Sequence, residues 1–227
     1  MRNTVLGGTS EGVKMRITVL GGTGYAGSAV AAEAAKRGHA VRAFSRTAPA
    51  EPILDVHYIT GSVLDPVVLA QAVAETEVVF ETLSPRGDMA GKLDDVISEL
   101  IRLADEAGVR LGVLGGVSSV LISEGGPRFF DVHPPAGAVR PEIEFGLWKL
   151  DAFTAAPKSL DWFFVSPAAD FGAWLPQRVT GTYRISDDVL LTDADGTSCI
   201  AAPDLALGVL DEIEKPAHRR QRFHIAL

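Results

Sequence analysis

Three glycines spaced by three, Gly21, Gly24 and Gly27, follow the run Arg16-Ile17-Thr18-Val19-Leu20 and precede an alanine-rich segment. This spacing suits a strand, a phosphate-binding loop and a helix N-terminus. Gly21 permits a tight exit from the strand, Gly24 lets backbone N–H groups approach a pyrophosphate, and Gly27 lets the helix pack closely. With Thr23, Tyr25 and Ala26 they form a loop whose helix turns its positive dipole end toward the phosphates. The dinucleotide type is read after the second strand, where an NAD site carries an acidic side chain for the ribose 2′-hydroxyl. Here the chain reads Phe44-Ser45-Arg46-Thr47, with no carboxylate until Glu51. Arg46 offers a planar fork for a 2′-phosphate and Ser45 a hydroxyl, so NADP(H) is favoured over NAD(H).

Other candidates follow later strands. Gly61-Ser62-Val63-Leu64-Asp65 falls where adenine is contacted, and within it Asp65 reads as the cap of the helix that Pro66 begins. Leu83-Ser84-Pro85-Arg86 lies where the chain passes the phosphates and nicotinamide ribose, and Gly115-Gly116 beside the nicotinamide. Ser118 and Ser119 are placed to bond the carboxamide or an acceptor carbonyl; capping the glycine-rich turn explains them equally well. His133, in a proline-rich loop, has an imidazole suited to proton donation near pH 6.5, and the alternative for it is a surface residue. Phe129, Phe130, Trp148, Phe171 and Trp174 are the aromatics available to line a pocket for a flat acceptor. No histidine pairs with a second ligand at metal spacing, so no metal is expected. Cys199 reads as a small buried residue and Tyr183 as packing.

One pair is missing. Tyrosine-dependent dehydrogenases use a tyrosine with a lysine four residues on, whereas Tyr25, Tyr58 and Tyr183 are followed at that distance by Ala29, Ser62 and Asp187. Hydride transfer to a flavin or quinone needs no such acid, because the acceptor delocalises the incoming charge.

The elements that must position these residues alternate regularly. Helices are expected from Tyr25 to Arg37, Pro66 to Ala74, Met89 to Ala107, Pro141 to Ala155 and Pro203 to Lys215. Strands are expected at Ala40–Phe44, Asp55–Thr60, Glu77–Leu83, Arg110–Leu114, Asp161–Val165 and Arg222–Ala226, with a hairpin over Thr180–Leu191 turning at Asp187-Asp188. The fold class is α/β, a Rossmann-type doubly wound parallel sheet. A single domain over residues 15–227 is expected, with a small C-terminal substrate lobe around 121–200 and a long loop at 121–140. Thr4-Val5-Leu6-Gly7-Gly8-Thr9 repeats Thr18-Val19-Leu20-Gly21-Gly22-Thr23 without the later glycines, so residues 1–14 read as an N-terminal extension.

A net charge of −8 opposes nucleic acid as partner, since a phosphate backbone needs a basic footprint. No segment reaches the roughly 18 apolar residues of a membrane span, and one cysteine excludes an intrachain disulfide. A cytoplasmic protein, monomeric or weakly homodimeric, is expected.

The glycine loop resembles those of atypical short-chain dehydrogenase/reductases. The likeness continues through Leu83-Ser84-Pro85-Arg86-Gly87-Asp88, Asp161-Trp162-Phe163-Phe164-Val165-Ser166-Pro167, Gly181-Thr182-Tyr183-Arg184, Asp193-Ala194-Asp195-Gly196-Thr197-Ser198 and Asp211-Glu212-Ile213-Glu214-Lys215-Pro216. Together these are similar to the NAD(P)H-binding group named for NADH-flavin reduction, relatives of biliverdin reductase B and NmrA-like proteins. The resemblance implies a nicotinamide cofactor, with Pro167 among its contacts, and a small planar acceptor. Its NmrA-like side implies the alternative, a non-catalytic NADP(H)-binding redox sensor.

Overall fold

Runs such as Val78-Val79-Phe80 and Phe163-Phe164-Val165 leave no polar face, so their strands must be covered on both sides. The computed structural model describes residues 13–135, 137–176 and 178–227; residues 1–12, most of the expected extension, lie outside them. The strands are β1 Arg16–Leu20, β2 Ala40–Ser45, β3 Val56–Thr60, β4 Val78–Glu81, β5 Arg110–Leu114, β6 Trp162–Pro167, β7 Arg184–Ser186 and β8 Gln221–Ala226. They form one sheet in the order β3-β2-β1-β4-β5-β6-β8-β7, parallel except for β7 against β8. The principal helices are α1 Tyr25–Lys36, α2 Pro66–Val73, α3 Leu93–Ala107, α4 Phe129–Val132, α5 Arg140–Thr154 and α6 Ala202–Glu214.

Alternate strand residues feed two cores. Val19, Phe80, Phe163 and Phe223 pack with Val30 and Ala34 of α1 and Leu205 and Val209 of α6. Leu20, Val79, Leu111 and Phe164 pack on the other face with Leu69, Ile97, Leu100 and Phe153. This is a Rossmann-type α/β fold, and its winding reverses between β1 and β4. The crevice outside the carboxyl ends of those strands is where such sheets take ligands. Among the described residues no helix is long and apolar enough to cross a membrane.

Two expectations change. The helix expected from Met89 begins only at Leu93, because Gly91 sits at φ +67° and interrupts it; Gly87–Met89 is a separate 3₁₀ turn. The expected hairpin is absent. Buried Asp204 accepts hydrogen bonds from the Thr180 and Gly181 N–H groups at 2.9 and 2.7 Å, anchoring the segment, and Arg184–Ser186 pairs instead with the open edge of β8. Of residues 121–200, α5 and β6 belong to the main layers, and irregular segments leave the carboxyl ends of β5 and β6.

One buried group makes stability depend on pH. His224 in β8 is fully buried; Nδ1 donates to the Ser166 carbonyl at 2.9 Å and Nε2 has no hydrogen-bonding partner among the described residues. Burial, ahead of the nearby Arg222 and Arg184 charges, pushes the imidazole down to about 4. The unfolded chain takes this proton near pH 6.5 and the native chain only near pH 4. Stability is therefore full above 6.5 and declines by up to about 3 kcal/mol as pH falls to 4. Urea unfolding of wild type and His224→Gln across that window is expected to show the steeper decline in wild type; equal slopes would assign it to other groups, such as the ion-paired carboxylates Glu33 and Asp211.

Candidate nucleotide-binding cleft

Where β1 ends, Gly21 adopts φ +81°, and the Gly21 and Gly22 N–H groups donate to the Phe44 carbonyl at 2.9 and 3.1 Å. The loop is thus pinned to the end of β2. Gly24 N–H donates to the Gly21 carbonyl at 2.9 Å and Gly24 is the N-cap of α1. A Cβ on Gly27 would lie 2.3 Å from the Gly21 oxygen, so glycine there allows the helix to abut the loop. The first turn of α1 has no side-chain cap and no acidic residue, so no carboxylate of its own offsets its positive end.

A cleft of about 290 Å³ opens at this point. Gly21, Thr23 and Gly24 form its base. Ser45, Arg46 and Thr47 after β2, with Gly61 and Val63 after β3, form one wall; Thr82, Leu83, Ser84, Arg86 and Met89 after β4 form the other. Eight residues expected from sequence, Gly21, Thr23, Gly24, Ser45, Arg46, Gly61, Leu83 and Ser84, therefore surround one cavity. Thr82 and Met89 fall outside the segments expected to line the site, while Phe44, Thr47, Val63 and Arg86 lie within those segments without having been singled out. Val63 carried a usable signal, as an apolar residue just beyond the end of β3, whereas Met89 lies well past β4. Thr82 acts within the loop: its hydroxyl donates to the Leu20 carbonyl at 2.7 Å.

The rim is charged but paired. Arg46 forms an ion pair with Asp88, each side chain about half exposed. Glu142 of α5 accepts from Ser84 Oγ at 2.9 Å and from Arg86 Nε at 2.8 Å, and the Arg86 guanidinium lies 5.9 Å from the exposed Trp174 ring. The Ser45 hydroxyl donates to the Thr47 carbonyl at 2.7 Å, within its own turn. Asp65 caps α2 by accepting from the Val67 N–H at 2.9 Å.

Other expected residues do not line this cavity. Tyr25 accepts from the Ala202 N–H at 3.2 Å through its hydroxyl, which faces α6. Ala26 and Gly27 are buried in α1, Pro85 lies between the lining residues Ser84 and Arg86, and the Ser62 hydroxyl accepts from the Leu64 N–H at 3.3 Å. Gly115 has a packing reason of its own, since a Cβ would meet the Phe164 ring at 1.8 Å; beside Gly116 a Cβ would meet nothing. Ser118 is buried, and Ser119 Oγ is 3.4 Å from Ser166 Oγ, next to the buried Pro167. His133 is exposed with its ring 4.5 Å from Phe129. Phe171 leans on Tyr25 and Trp148 stacks on Phe145, so the aromatics pack in separate pairs. Tyr183 donates to Asp211, and burial with that bond pushes its phenol up to about 12. Burial likewise raises the half-buried Cys199 thiol.

A buried ion pair lies at the same end of the sheet. Lys149 Nζ of α5 donates to Glu81 Oε2 at 2.7 Å and to the Leu114 carbonyl at 2.8 Å, and Glu81 Oε1 accepts from the Leu83 N–H at 2.7 Å. One turn before Lys149 stands Phe145, without a hydroxyl.

The NAD(P)H-binding family model matches residues 21–216. The uncharacterized Bacillus subtilis protein YwnB is 30% identical over 219 residues, 93% of this chain and 98% of its own. A Burkholderia pseudomallei protein provisionally named as exported is 32% identical, with a TM-score of 0.79 over 94% of this chain and 100% of its own. A Streptococcus pneumoniae protein provisionally named an NADH-flavin reductase is 27% identical, with a TM-score of 0.78 over 93% of this chain and 99% of its own.

Proposed function

This chain belongs to the NAD(P)H-binding family, and we propose that it is an NADPH-dependent reductase of a planar acceptor such as a flavin or quinone. When bound, NADPH supplies a hydride. The observation that carries the acceptor class is the state of Lys149: it is consumed by Glu81 and the Leu114 carbonyl, with Phe145 where a phenol would have to stand. No tyrosine and lysine cooperate as a proton donor, so the acceptor must itself absorb the incoming charge. The provisional name of the pneumococcal relative agrees with this class.

The cleft residues have separable roles. Gly21, Thr23, Gly24 and the α1 N-terminus hold the pyrophosphate, Val63 and Met89 give the adenine apolar walls, and Arg46 meets the 2′-phosphate. Leu83, Ser84 and the Gly115-Gly116 turn orient the nicotinamide half, with Ser118 and Ser119 near the carboxamide.

Nicotinamide fluorescence during titration with NADPH and NADH tests the cofactor assignment. Arg46→Ala is expected to weaken NADPH binding at least tenfold, since a charge-assisted bidentate contact is lost; an unchanged affinity would remove Arg46 from the site. Stopped-flow oxidation of NADPH with a panel of flavins and quinones tests the acceptor, and absence of turnover with every member would sink the reductase reading. A second reading, a redox sensor without chemistry, is favoured by the dispersal of His133 and the aromatics around separate partners. It requires different affinities for NADP+ and NADPH, because a ligand pair bound equally shifts nothing.

A further inference from the structure

We propose that Asp88, carried on the loop after β4, accepts the adenosine ribose hydroxyls of NADH and competes with the 2′-phosphate of NADPH for Arg46, so that this one ion pair sets cofactor choice. The inference rests on the cofactor assignment above.

The end of β2 offers Ser45, Arg46 and Thr47 and no carboxylate. The tertiary structure brings one from forty-two positions further on: Arg46 Nη1 pairs with Asp88 Oδ1. Arg46 lines the cleft and Asp88 stands between the lining residues Arg86 and Met89; the two side chains are 53% and 55% exposed, open to solvent. The backbone of Asp88 is tied to the cleft wall through its chain neighbour. It belongs to the 3₁₀ turn Gly87–Met89, whose next residue, Met89, is 4% exposed and forms part of the cleft wall. The neighbouring Arg86 is engaged by Glu142, so it does not draw Asp88 away from Arg46.

The two cofactors ask opposite things of this pair. A 2′-phosphate carries between one and two negative charges and seeks the guanidinium fork. Asp88 must then release Arg46 and remain near a like charge, which weakens NADPH binding. A ribose with a free 2′-hydroxyl brings a donor and no charge. The ion pair stays closed, and the carboxylate, an acceptor only, takes that hydroxyl's hydrogen bond. The pair thereby sets how far the site prefers NADPH over NADH.

The test is equilibrium titration of the full chain with NADPH and with NADH for wild type, Asp88→Asn and Asp88→Ala, each checked by thermal unfolding. Both variants are expected to tighten NADPH about threefold, the scale of an exposed ion pair. They are expected to weaken NADH about tenfold, the scale of a lost charge-assisted hydrogen bond. The opposite signs identify Asp88 as a specificity residue, because a merely structural pair would move both affinities downward together. Parallel shifts, or an unaltered NADH affinity in both variants, overturn the proposal while leaving the cofactor assignment intact. A wild-type chain that binds neither nucleotide overturns the cofactor assignment and this inference with it.

Discussion

Replacing Gly27 with alanine is expected to weaken NADPH binding about a hundredfold, although alanine is the better helix former. The added Cβ would lie 2.3 Å from the Gly21 carbonyl oxygen, 2.9 Å from its carbon and 2.9 Å from Thr82 Oγ1. Two of those three atoms are backbone, and they belong to the loop that builds the base of the cleft. Helix propensity alone would stabilise the variant by up to about 1 kcal/mol. Overpacking acts the other way at about 1–3 kcal/mol, so the collision decides the sign. Relief requires the loop to move off α1 by several tenths of an ångström or more. That displaces the N–H groups proposed to meet the pyrophosphate, and where orientation decides the outcome a shift of about 1 Å costs on the order of a hundredfold. Fluorescence titration beside thermal unfolding separates the two effects. A folded Gly27→Ala chain that binds NADPH like wild type would show that this loop is not the phosphate cradle.

The second large effect is expected at Lys149. Its side chain is 3% exposed and that of Glu81 is fully buried. Lys149→Met leaves the Glu81 carboxylate in the interior with the Leu83 N–H as its one remaining partner among the described residues, and breaking a buried pair in this way costs about 3–5 kcal/mol. The double variant Glu81→Gln, Lys149→Met is expected to recover most of that loss, because no uncompensated charge remains. Urea unfolding of the three variants gives the comparison; a loss below about 1 kcal/mol for Lys149→Met would mean that water or rearrangement reaches Glu81. The pair ties α5 to the ends of β4 and β5, so the single variant is also expected to weaken NADPH binding through the Leu83–Arg86 segment.

Much of this fold was legible because its signals are local. The glycine spacing, Asp65-Pro66 at a helix start and the apolar strand runs each describe a few neighbouring residues whose backbone preferences agree. The expected alternation of strands and helices accordingly matches the sheet from β1 through β6. Misreadings arose where distant partners outweighed local preference. Thr180–Leu191 has a hairpin's composition, yet Asp204 and the open edge of β8 hold it differently. Met89 fits the amphipathic pattern of α3, yet it turns into the cleft behind Gly91.

The doubly wound architecture, the glycine loop at the end of β1 and the absence of a tyrosine–lysine pair can all be read from the chain alone. All of these follow from residue type and short-range spacing. Only the tertiary structure decided which side chains meet: Lys149 with Glu81, Glu142 with Ser84 and Arg86, and Asp88 with Arg46. Each of those partnerships joins segments more than forty residues apart, and a charge has no preference for a distant partner until packing brings the two within reach.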